Sequence, residues 1–120
     1  MLKNKITAGL LLCPARAIPE EGAKGFSVTR GEITLGIFVV RKNGRLFGYK
    51  NRCPHTGAPL DWSPDQFLDK DNTYIQCSTH GALFQIEDGL CVFGPCVNQC
   101  LTKIEITIID GDVYWQQAKT

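Results

Sequence analysis

No stretch of this chain stays apolar for the roughly 20 residues that a membrane-spanning helix needs. A crossing helix is therefore not expected. A surplus of one charge is missing too: 13 Lys and Arg stand against 12 Asp and Glu, a formal balance of +1. The basic residues are scattered, which leaves no footprint for a phosphate backbone or an anionic lipid surface. Helical periodicity is also absent, because every apolar stretch meets Gly or Pro before three turns accumulate. Only the segment from Asp61 to Asn72 has room for a short turn. Repeats and linkers are lacking, and 120 residues fit one domain spanning 1–120.

An export signal is the remaining exclusion. "MLKNKITAGLLLC" has two lysines, an apolar stretch from Ile6 to Leu12 and a cysteine. That stretch is short for a signal core, and Leu12 occupies the place where cleavage needs a small residue. The pattern predicts a first strand over Leu10–Ala17 and a cytoplasmic chain. Six cysteines in a reducing compartment then point to metal ligation rather than to a disulfide framework.

What the sequence has in quantity is turn punctuation. Glu21-Gly22, Asn43-Gly44, Asp88-Gly89 and Asp110-Gly111 recur among β-branched and aromatic runs, an all-β rhythm. "LGIFVVRKNGRLFGYKNRC" reads as two strands joined at Asn43-Gly44. "KIEITIIDGDVYW" repeats that design around Asp110-Gly111, with Ile104, Ile106 and Ile108 alternating inward. A third hairpin folds "ALFQI" against "LCVF" at Asp88-Gly89, preceded by "TYIQC".

Two short segments carry the chemistry. "CPHTGAPL" holds Cys53 and His55, and "CSTHGALF" holds Cys77 and His80; each pair enters a Gly-containing loop from a strand. Two thiolates and two imidazoles complete a first shell for a metal centre, and the 21 residues between His55 and Cys77 suffice to bring the loops face to face. Structural zinc accepts this donor set, but commonly takes its two cysteines from one tight pair and its two histidines from another. A [2Fe-2S] cluster with two His on one iron explains one Cys and one His per loop. Neutral imidazoles leave the oxidised cluster with no net charge, so an electron enters more easily than with four thiolates. Such centres span about −150 to +300 mV, against about −400 mV for plant-type ferredoxins. Each ligating imidazole also retains a ring nitrogen that couples oxidation to proton loss at high pH.

These two segments resemble the signature of Rieske [2Fe-2S] proteins, and the similarity extends from the hairpin before Cys53 to Trp115. The resemblance implies an all-β Rieske fold of three antiparallel sheets with the cluster-binding loops at one tip. Cys53 and Cys77 would hold the inner iron, and His55 and His80 the outer, solvent-facing one. Gly94-Pro95 is similar to the family's proline-containing loop that shields the cluster. Quinol-oxidising members carry a loop-to-loop disulfide where this chain has Ala58 and Thr79, and a serine near a bridging sulfide where it has Ala82. Loss of that donor places the potential toward the low end of the range. The oxygenase α-subunits of the family commonly have Arg where this chain has Thr56, and they need a further iron domain. The closer resemblance is to Rieske-type ferredoxins. It implies a small electron carrier without substrate chemistry of its own, taking one electron from a flavoprotein reductase and passing it to a terminal oxidoreductase such as an oxygenase. A tightly bound subunit of a nitrite reductase or oxygenase, and a cluster-based redox sensor, are the alternatives; a colourless zinc domain is the third.

Other features have plainer readings. Cys91, Cys96 and Cys100 nearly match the spacing of plant-type cluster ligands, but are expected to be free thiols. Trp62, Tyr74, Phe84 and Phe93 are expected to pack around the loops as core, and Asp61, Asp65, Asp69 and Asp71 to lie on an ordinary solvated loop.

Overall fold

The computed structural model describes residues 9–54, 57–61, 63–78 and 81–116. Nine strands follow one another: β1 Gly9–Pro14, β2 Gly22–Arg30, β3 Ile33–Lys42, β4 Arg45–Lys50, β5 Tyr74–Gln76, β6 Leu83–Gln85, β7 Cys91–Phe93, β8 Lys103–Ile109 and β9 Asp112–Gln116. All pairings are antiparallel. The expected three sheets are realised as three groups of strands, two of them fused. The β2-β3-β4 group and the β8-β9-β1 group meet where Gly48 and Tyr49 pair with Ile104 and Lys103, which makes a six-stranded sheet. The third group, β5-β6-β7, is a separate sheet; the Cys77 segment lies between its β5 and β6, while the Cys53 segment follows β4 of the larger sheet.

Turn chemistry explains the two terminal hairpins. Asn43 and Gly44 adopt φ of 54° and 77°, and Asp110 and Gly111 adopt 51° and 82°, the left-handed pair that a two-residue turn between twisted strands requires. The expected first strand is shorter than Leu10–Ala17. Pro14 ends it by withholding a ladder N–H, and Ala15–Ala17 coil into a single 3-10 turn. The third hairpin closes less tightly than a two-residue turn, because the Gly89 N–H reaches back to the Gln85 carbonyl at 2.8 Å.

Strand β3 is buried on both faces, and alternation sorts its side chains into two cores. Ile37 and Val39 face β1, β8 and β9 residues such as Trp115 and Val113. Phe38 and Val40 face the other way, onto Tyr49, Phe67, Ile75, Phe84 and both Cys53 and Cys77. Phe38 stacks on Phe67 with ring centroids 4.3 Å apart. The second core therefore forms the floor beneath the loops.

Two packing expectations are corrected. Ile104 is buried and Ile106 half-buried, but Ile108 is 47% exposed; the period of two keeps it on its neighbours' face, at the far end of the hairpin. Phe93 is 61% exposed and is not core, whereas Phe84 is fully buried. Tyr74 is intermediate, and Trp62 lies outside the described residues.

Candidate metal centre

Strand β4 delivers Cys53, and β5 ends one residue before Cys77. Both loops then fold by the same pair of hydrogen bonds. The Cys53 N–H donates to the Ala58 carbonyl at 2.8 Å and the Gly57 N–H to the Cys53 carbonyl at 2.7 Å. In the second loop the Cys77 N–H donates to the Ala82 carbonyl at 2.9 Å, and the Gly81 N–H to the Cys77 carbonyl at 3.0 Å. The offsets are identical. Each closure turns through a glycine in the left-handed region, Gly57 at φ 80° and Gly81 at 69°, where an L side chain is strained. The repeated Cys-to-Gly spacing is thus a backbone requirement as well as a ligand pattern.

Further bonds hold the loops together. The Ser78 N–H donates to the Leu60 carbonyl at 2.9 Å, tying the start of the second loop to the end of the first. Asn51 pins that same end: its Oδ1 accepts from the Leu60 N–H at 2.7 Å, and its Nδ2 donates to Asp61 at 3.1 Å. A third loop, 94–99, lies against the second. Gly94 sits so close that a Cβ there would fall 2.8 Å from the Ala82 Cα.

Within this frame Cys53 and Cys77 are 2% and 1% exposed, in the same apolar cluster as Leu60, Ala82, Phe84 and Ile86. Their partners in the expected ligand set, His55 and His80, lie outside the described residues, as does Thr79. Cys91 and Cys96 are buried with their sulfurs 3.3 Å apart, while Cys100 is exposed, so the three do not share a site. None of the six cysteines is in a disulfide. Burial, reinforced by the neighbouring Cys91 and Cys53 sulfurs, pushes the Cys96 thiol up to about 12. Tyr49 donates to the Ile86 carbonyl at 2.6 Å beneath the loops, and its burial, with Asp88 and Glu87 nearby, raises its hydroxyl well above the usual range.

None of the four acidic residues Asp61, Asp65, Asp69 and Asp71 is buried, as expected of a solvated loop, but three of them also bond to the chain. Asp65 accepts the Gly25 N–H at 2.8 Å, Asp69 accepts the Thr73 and Tyr74 N–H groups at 2.9 and 3.1 Å, and Asp61 accepts from Asn51. Asp69 closes a turn within the segment between the two cluster loops, while Asp65 ties that segment to β2 and Asp61 ties it to Asn51. Asn51 and Cys96 were not legible as site residues. An Asn two positions before a Cys at the mouth of a Pro-rich and Gly-rich loop is the only sequence signal for the first; for Cys96 there is none, since its neighbours come from folding.

An all-β frame thus presents buried cysteines from two like loops, with a third loop packed against the second. Residues 9–108 match the Rieske [2Fe-2S] domain family, and the chain belongs to that family. Its cofactor is a [2Fe-2S] cluster. The donor chemistry fits: two buried thiols on matched loops, joined by a backbone bond, would supply the sulfur half of a His₂Cys₂ set. The chain is 31% identical over 91 residues to human apoptosis-inducing factor 3, covering 73% of this chain and 14% of that protein's length. The fold matches the ferredoxin of carbazole 1,9a-dioxygenase from Nocardioides aromaticivorans IC177, with a TM-score of 0.73 at 17% identity over 92% of this chain and 99% of that one. It also matches a reduced complex between oxygenase and ferredoxin in carbazole 1,9a-dioxygenase, with a TM-score of 0.75 at 21% identity over 90% of this chain and 28% of that chain. No helix among the described residues is long and apolar enough to cross a membrane.

Proposed function

We propose that this chain is a Rieske-type ferredoxin that relays single electrons from a flavoprotein reductase to a terminal oxygenase or other oxidoreductase, with Cys53, His55, Cys77 and His80 as the cluster ligands. The observation that carries the reading is the duplicated loop: one hydrogen-bonding scheme, repeated at Cys53 and Cys77, with both sulfurs buried and the loops bonded to each other. When bound, the cluster supplies reversible one-electron chemistry. The protein's share is to hold the ligands, exclude water from the sulfur side and present the site to a partner. The resemblance to a dioxygenase ferredoxin of nearly the same length supports the oxygenase as acceptor. Six cysteines outside any disulfide are in keeping with a reducing compartment such as the cytoplasm.

His80→Ala is expected to abolish the Rieske-type EPR signal of the reduced, cluster-loaded protein. A normal signal in that variant would remove His80 from the ligand set, and a single tetrahedral metal ion bound in place of two irons would end the whole reading.

One observation favours a resident subunit of an oxidoreductase complex as a second reading. Val92, Phe93 and Val97 are 38%, 61% and 46% exposed on β7 and the third loop, and Phe93 pairs with Leu83, the residue that follows Ala82 of the second cluster loop. Size-exclusion of a native extract separates the two: a diffusing carrier elutes alone, a subunit with its complex.

A further inference from the structure

Three buried sulfurs of one core cluster, those of Cys53, Cys96 and Cys91, are linked by successive contacts. Cys96 shares a hydrogen bond with Cys53 and lies 3.3 Å from Cys91 Sγ, which in turn lies 3.3 Å from the Phe93 carbonyl oxygen. Cys96 comes from the third loop, held by the Gln99 N–H donating to the Cys96 carbonyl at 2.9 Å, and is completely buried. Each thiol has one hydrogen. Cys91 points its own at the Phe93 carbonyl and Cys96 points its own at Cys91.

Ligation changes that bookkeeping. A cysteine that binds iron gives up its proton, so its sulfur becomes an acceptor only. The Cys96 hydrogen turns by rotation about one bond, and a contact to a sulfur bearing negative charge outcompetes a neutral thiol pair. We propose that Cys96 is a positioning and tuning residue of the cluster, its S–H donating to the ligand sulfur of Cys53 and favouring the reduced state. The direction follows from charge: reduction adds an electron to the core, ligand sulfur becomes more negative, and the hydrogen bond strengthens. Ala82 donates nothing from the second loop, so Cys96 supplies from the third loop a donor the second one lacks.

This inference rests on Cys53 being a cluster ligand, and the experiment tests that first. The loaded wild-type chain must give a Rieske-type EPR signal on reduction; its absence would refute ligation and say nothing of Cys96. Given the signal, midpoint potentials are compared for the wild type, Cys96→Ala, Cys96→Val and Cys96→Ser. The two variants without a donor are expected to lower the equilibrium constant for reduction about tenfold, a fall of about 59 mV for a one-electron couple. Serine keeps a donor and is expected to stay near the wild-type potential. An exchangeable proton coupled to the reduced cluster should be detected by hyperfine spectroscopy in the wild type and Cys96→Ser, and be missing in the other two. Equal midpoints in all four proteins would overturn the proposal, as would a Cys96→Ser potential as low as that of Cys96→Val. Valine fills the site if alanine does not fold, so the comparison stands on either. Loss of the cluster in the serine variant would also count against it.

Discussion

At the scale of single residues, position in the core decides what each polar atom does. Tyr49 has a sequence alternation suited to any half-buried strand, yet it is fully buried and its hydroxyl donates to the Ile86 carbonyl at 2.6 Å. Tyr49→Phe keeps the ring and leaves that carbonyl without its donor, a loss of about 1–3 kcal/mol. Urea unfolding of the cluster-loaded protein should show it. Burial, the largest cause, holds the Tyr49 hydroxyl above its unfolded value of about 10. The folded state thus keeps a proton that the unfolded state sheds. The stabilisation is complete below about pH 10 and is lost as pH rises from there through the folded value. Wild-type stability is therefore expected to fall more steeply above pH 10 than that of Tyr49→Phe; parallel alkaline limbs would refute the assignment. Cys96 makes the same point for sulfur, since no spacing rule places it beside Cys53.

Among the elements, loop closure and loop contact have different origins. The two cluster segments were legible because their closure is local: a Cys N–H reaching five residues on, and a Gly N–H reaching four back, need only a glycine at the right offset. The hairpins at Asn43-Gly44 and Asp110-Gly111 were legible for the same reason. The third loop was read only by likeness, because its contact with the second loop is long-range. Gly94 has φ of 106°, and a Cβ there would sit 2.8 Å from the Ala82 Cα, which is backbone and cannot swing aside. Gly94→Ala is expected to cost roughly 1–3 kcal/mol and to lift this loop from the second. Cluster loss in the presence of a chelator should then be several-fold faster than in the wild type, measured by the decay of visible absorbance. An unchanged half-life would show that the third loop does not protect the centre.

Taken as a whole, the molecule has little net charge and exposed apolar side chains on β7 of its smaller sheet. The formal balance is +1, so long-range steering of a partner is weak and contact must supply the specificity. Phe93, paired with Leu83 next to the second cluster loop, is 61% exposed. Phe93→Asp replaces an exposed side chain and should change stability by no more than about 0.5 kcal/mol. The second-order rate of electron transfer to an oxygenase partner is expected to fall about tenfold, the loss of an interface anchor worth about 1.4 kcal/mol. The midpoint potential should not move, and raising salt should slow the wild type only modestly. A wild-type rate in the variant would place the docking face elsewhere.

The amino-acid order alone determined that the chain is built of strands, where its tight hairpins turn, and which two segments carry thiol and imidazole together, because each of these depends on residues within a few positions of one another. Only the tertiary structure decided that Ile108 and Phe93 are left exposed, that Asp65 binds the Gly25 N–H of β2, and that Cys96 reaches Cys53. These outcomes rest on what packs over each residue from distant parts of the chain. Local spacing sets a side chain's direction, and burial by remote segments sets its environment and so its chemistry.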